Sequence, residues 1–89
     1  MTRFAFRDHQ ANERLDATAI LERAGKLSPT QYAVLSALVS RARAGTRELP
    51  SGTELGDRLG LGRETCRRAV KKLVDAGVIV LEGDSPSSN

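Results

Sequence analysis

Residues 49–83 read LPSGTELGDRLGLGRETCRRAVKKLVDAGVIVLEG, and the order of signals within them decides the fold. Ser51-Gly52-Thr53-Glu54 has the spacing of a capping box, in which two side chains satisfy orphan backbone amides. It opens a short helix with Leu55 and Leu59 on the inner face. Gly60-Leu61-Gly62 forms a tight turn. Residues Arg63 to Ala76 then read as a second helix, with Cys66, Ala69, Val70 and Leu73 recurring at helical spacing as a buried stripe. Gly62 lacks a capping side chain, so the start of this helix is weaker than that of the one before it. Gly77 suits the left-handed stop that follows many helices. Val78-Ile79-Val80-Leu81 is a β-branched run that predicts a strand, Gly83-Asp84 reads as a turn, and residues 84–89 form a polar, disordered tail.

The segments upstream follow the same logic. Ser28-Pro29-Thr30-Gln31 is another capping box, with proline at the first helical position. Tyr32, Leu35, Leu38, Val39 and Ala42 continue at helical spacing. Arg41 and Arg43 fall in the last turn, where the helix dipole favours cations, and Gly45 ends the element. Asp16 caps a shorter helix carrying Ile20, Leu21 and Ala24, stopped by Gly25. Residues 1–14 show no clear period. Phe4 and Phe6 alternate with polar neighbours, which fits either a short extended arm or a frayed tail.

Composition narrows the function classes. Eighty-nine residues make one small domain, and 3% aromatics leave Leu, Val, Ile and Ala to fill the core, which favours packed helices. The net charge of +3 is unevenly placed. Residues 1–26 carry five basic and four acidic side chains, whereas residues 41–73 carry nine basic against four acidic. The single cysteine, Cys66, excludes an intrachain disulfide and reads as a buried packing thiol, and the single histidine, His9, argues against a metal centre. No acid–base pair, partnered nucleophile or phosphate loop is present, so neither an enzyme nor a cofactor is expected. The chain has no membrane-length apolar run and no signal-peptide core, which predicts a cytoplasmic protein. Its arginine, alanine and glycine bias matches a GC-rich bacterial, phage or plasmid coding sequence.

These readings combine into a mainly α fold, a winged helix-turn-helix with three core helices, a short N-terminal helix and a minimal β-wing. Residues 27–83 form the DNA-binding domain. Residues 1–26, the arm and short helix, are left as a surface for homodimerisation. The basic helix would lie in the major groove of double-stranded DNA. Arg63 and Arg67 offer the paired donors that match a guanine edge, and Thr65 offers a hydroxyl and a methyl. Glu64 can accept from cytosine or orient a neighbouring arginine. Arg68, Lys71 and Lys72 lie further along and suit phosphates. The Gly52 and Thr53 amides with the Ser51 hydroxyl make a phosphate site at a helix N-terminus.

LPSGTELGDRLGLGRETCRRAVKKLVDAGVI resembles the DNA-binding motif of GntR-type regulators. LSPTQYAVLSALVSRARAG resembles the first helix of winged-helix domains in phage and plasmid replication proteins. Together the resemblances cover residues 27–83 and imply base or backbone contacts at Arg63, Glu64, Thr65 and Arg67, with Ser51 and Thr53 near phosphate. Gly62 departs from the usual serine, and Cys66 stands where valine is common. No apolar segment follows residue 83 to return as a wing strand, so residues 46–49 are expected to pair with residues 78–81 instead. No effector domain follows either, so no small-molecule effector is expected within the chain. The functional expectation is a sequence-specific DNA-binding protein acting as a repressor, partition factor or accessory factor. The alternatives are the DNA-binding domain of a phage or plasmid replication initiator, and a winged helix used for protein contact.

Overall fold

The computed structural model describes residues 2–83. Its elements, in chain order, are β1 (Thr2–Phe6), α1 (His9–Arg14), α2 (Ala17–Arg23), α3 (Pro29–Arg43), α4 (Gly52–Leu59), α5 (Arg63–Asp75) and β2 (Ile79–Gly83). The fold is the mainly helical winged helix-turn-helix expected, with five helices and a small antiparallel sheet.

The helices begin where their caps dictate. Asp16 accepts from the Thr18 and Ala19 amides ahead of α2. Ser28 and Gln31 exchange both bonds of the capping box at α3. Ser51 accepts from the Glu54 amide at α4, whereas Gly62 supplies no side-chain bond to α5. The six-residue α1 was not apparent from the sequence. Asp8 caps it, and Leu15 ends it with φ of +51°, a left-handed conformation unusual for a residue with a Cβ. Partial burial pushes the Asp8 carboxyl up, but bonds from the Gln10 amide and from Arg23, together with the Arg23 charge, outweigh this and hold it below its ordinary value. The stability this carboxylate contributes is therefore present above the ordinary range and lost as pH falls through the lowered one.

The sheet departs from expectation in its partners. β1 pairs antiparallel with β2 in the register Thr2↔Gly83, Phe4↔Leu81 and Phe6↔Ile79. Residues 46–49 do not reach β2. They lie on the other edge of β1, where the Phe4 amide donates to the Arg47 carbonyl at 2.8 Å and the Leu49 amide to the Thr2 carbonyl at 2.8 Å, with a bridge between Arg3 and Glu48. The N-terminal strand thus takes the place between these two segments that a returning wing strand would fill. Burial decides the arrangement. Phe4 and Phe6 point inward at 1% and 2% exposure, the two aromatic side chains among the described core residues, which are otherwise aliphatic apart from Cys66.

That core is continuous from β1 through α2, α3, α4 and α5 to β2. α3 is its axis, burying Val34, Leu35, Ala37, Leu38, Val39 and Ala42. Spacing assigns Tyr32 to this stripe, but it sits in the first turn of α3 and is exposed. Cys66, Ala69, Val70 and Leu73 are all buried, as the periodicity predicts. Burial pushes the Cys66 thiol up from its ordinary range, so the neutral form is held; the stability linked to it is intact below the ordinary thiol range and is lost as pH rises from there through the raised value. The expected turn at Gly83-Asp84 and the polar tail lie at or beyond the last described residue. No helix among the described residues is long and apolar enough to cross a membrane.

Two outcomes check this packing. Phe4→Ala should lower the unfolding free energy by about 3–5 kcal/mol in a urea titration; a loss under about 1 kcal/mol would mean that β1 does not support the core. Cys66 should react with a disulfide-exchange thiol reagent only as fast as the protein unfolds, and rapid reaction in native buffer would contradict its burial.

Candidate nucleic-acid interface

Two glycines set how closely the helix-turn-helix closes. A Cβ on Gly52 would stand 2.7 Å from Arg67 Cγ and 2.8 Å from the Arg63 carbonyl oxygen. A Cβ on Gly56 would stand 2.5 Å from the Leu61 carbonyl oxygen. One turn apart on α4, they let α5 and the turn lie directly against the helix backbone. Gly60 closes α4 with φ of +70°, its amide donating to the Gly56 carbonyl. Gly60 is legible in the sequence as a turn residue and Gly52 as a backbone donor, whereas Gly56 is not, because its reason is a tertiary contact.

This close crossing brings the first turn of α4 against the first half of α5. Ser51, Gly52, Thr53, Arg63, Arg67 and Lys71 line one groove. At 3.6 residues per turn, Arg63, Arg67 and Lys71 occupy the flank of α5 facing α4 and β2. Glu64 and Arg68 occupy its crest, and Thr65 and Lys72 the opposite flank. All seven are exposed. The candidate residues therefore wrap around the open surface of α5.

The polar groups are arranged with some economy. The Ser51 hydroxyl oxygen accepts from the Glu54 amide and keeps its own O–H to donate, and the amides of Gly52 and Thr53, which precede any intrahelical acceptor, are further donors at the start of α4. Arg67 Nη1 donates to Glu64 Oε1 at 3.2 Å, with both side chains about two-thirds exposed. This is a surface pair of small energetic weight, but it holds the guanidinium over the crest of the helix.

Not every cation in the basic segment belongs to this surface. Arg41 is 18% exposed. It pairs with Glu54 at 2.9 Å and donates to the Glu48 carbonyl at 3.3 Å, tying the end of α3 to the first turn of α4. Arg47 donates to the Asn12 side-chain and main-chain oxygens, each at 2.8 Å, and its guanidinium lies 5.8 Å from the Phe6 ring centroid. Asn12 in turn pairs with both the amide and the carbonyl of Phe6. These two arginines act within the fold, and the charge count by segment had no means of separating them from the outward set.

Among the described residues no cluster of side chains is suited to hold a metal ion. The groove also has an apolar component that the sequence does not single out. Leu49, Val74 and Leu81 lie on its floor, and Asp75 stands at its end. With β1 and β2 covered on one face only, alternation along β2 turns Leu81 to the same side as Ile79, beyond the reach of the core.

Residues 26–87 match the MarR family, which is more than half of the chain. The match upholds a winged helix-turn-helix DNA-binding domain, and it does not extend to the GntR or replication-protein resemblances of the two segments. No curated protein and no solved structure matches.

The glycine crossing is open to test. Gly56→Ala should cost about 1–3 kcal/mol of stability, because the Leu61 backbone must move to admit the methyl. A variant as stable as the parent would show that α4 and the turn are not in such close contact.

Proposed function

The chain belongs to the MarR family of DNA-binding transcription regulators, and from that premise we propose that it binds double-stranded DNA sequence-specifically, with α5 in the major groove. The observation that carries this reading is the exposed array on α5, where Arg63, Arg67, Arg68, Lys71 and Lys72 stand around a helix anchored in the core by its Cys66–Leu73 stripe. A helix with one buried stripe and cations on its three other flanks can enter a groove about 12 Å wide and reach both phosphate walls.

In this reading Arg67, steadied by Glu64, reads a guanine edge through two donors, and Arg63 and Thr65 contact neighbouring base edges. Arg68, Lys71 and Lys72 hold phosphates. The Gly52 and Thr53 amides receive one more phosphate at the start of α4, where the helix dipole adds to the attraction. These contacts fix register, and the base-edge contacts select sequence.

Regulation follows from occupancy. A small protein that covers an operator excludes polymerase from it, so we assign a repressor role. Two copies on two-fold related half-sites would supply the affinity that one short helix lacks. We assign that homodimer contact to the outer surfaces of residues 1–26, which leave α4 and α5 open to DNA. Assignment as a partition factor or replication initiator has no observation of its own in favour.

Titration against a preferred duplex and a scrambled one, at two salt concentrations, separates the roles. Arg67→Ala should lose about 1–3 kcal/mol on the preferred duplex and narrow the preference. Lys72→Ala should weaken both duplexes alike and reduce the salt slope by about one. Equal losses on both duplexes for Arg67→Ala would remove it from base reading.

A further inference from the structure

Arg63, Arg67 and Lys71 stand at i, i+4 and i+8 on α5 and form one wall of an open groove of about 650 Å³ between α5 and β2. The floor of that groove is apolar, made of Leu49, Leu55, Val70, Val74 and Leu81. Leu55 and Val70 belong to the core, whereas Leu81 is 41% exposed. A sugar–phosphate backbone would satisfy the cations and gain nothing from Leu81 or Val74. A row of cations beside leucine and valine is matched by the converse pattern, a row of anions beside apolar side chains. At helical spacing that pattern is an acidic amphipathic helix.

We propose that the groove between α5 and β2 docks an acidic amphipathic helix from a partner protein, in competition with DNA. The cation row is about 12 Å long at 1.5 Å per residue. Carboxylates at i, i+4 and i+8 of the partner meet it one for one, and leucines at i+3 and i+7 reach the floor. Asp75 at the far end of the groove repels a carboxylate and accepts a lysine, which fixes the direction in which the helix lies. Because Arg63, Arg67 and Lys71 cannot face phosphates and carboxylates at once, the partner removes the protein from DNA. The competition rests on the proposed DNA binding, whereas the groove, its charge and its floor do not.

The test uses a labelled alanine-rich helical peptide with glutamates at i, i+4 and i+8 and leucines at i+3, i+7 and i+11, and a scrambled peptide of the same composition. Fluorescence anisotropy with the full chain should show saturable, salt-sensitive binding of the patterned peptide, with the scrambled one weaker by about tenfold or more. Leu81→Ala, at an exposed position, should weaken the patterned peptide by about tenfold and leave duplex DNA affinity unchanged. Unlabelled patterned peptide should release a bound duplex. Equal binding of the two peptides, or patterned binding unaffected by Leu81→Ala, overturns the proposal. Peptide binding with no duplex binding sinks the DNA reading and the competition that rests on it, and leaves the docking of the helix standing; duplex binding with no peptide binding does the reverse, and a duplex still bound at saturating peptide overturns the competition.

Discussion

The structure depends on where Phe4 and Phe6 are buried. The core has few aromatic rings, and these two, with centroids 5.8 Å apart and edge to face, close the end of the helical layer that α3 and α5 leave open. To put them there, β1 must enter between residues 47–49 and β2, and its backbone then bonds on both sides. The sheet, the link into α4 and the exit from α5 are held by the same five residues. Asn12 and Arg47 lock the end of this strand, the amide of Asn12 against the Phe6 backbone and the Arg47 guanidinium against its ring. A small domain with little surplus stability ties residues 2–6 to residues 79–83 through one short strand, beside the packing of α3 on α5.

That concentration explains what could be read from the sequence. Helix starts were legible at Asp16, Ser28 and Ser51, because capping is a local exchange between a side chain and amides two or three residues away. The stripe from Cys66 to Leu73 was legible because four positions at helical spacing repeat the signal. β1 was not, since Phe4 and Phe6 make only one alternation and the partner strand lies at the other end of the chain. The expected pairing of residues 46–49 with residues 78–81 failed for the same reason: both segments are strand-like, but a better apolar strand comes between them. Tyr32 keeps its helical spacing in the first turn of α3 but is exposed, because burial on α3 begins only at Val34.

The candidate site was legible as chemistry and only partly as geometry. All the residues of α5 expected to face a nucleic acid are exposed, and the start of α4 lies beside them. The count of positive charge over residues 41–73 overstated that surface. Arg41 and Arg47 turn inward to hydrogen bonds that no charge tally reveals, and their work is to fix α4 and β1 relative to α3. The reverse holds for Leu81, an apolar residue of the expected strand that the fold leaves half open. Gly52 and Gly56 join these two facts, since the close approach they allow both presents the α4 amides and shapes the groove next to Leu81.

The most direct test of α5 as a reader of DNA is selection of bound duplexes from a random library by the full chain at low salt. The account predicts enrichment of one short motif containing guanine, present twice with two-fold symmetry and with centres about one helical turn apart or a multiple of it. Failure to retain any duplex at low salt would contradict the account at its centre, and retention with no enrichment would reduce α5 to a phosphate-binding surface.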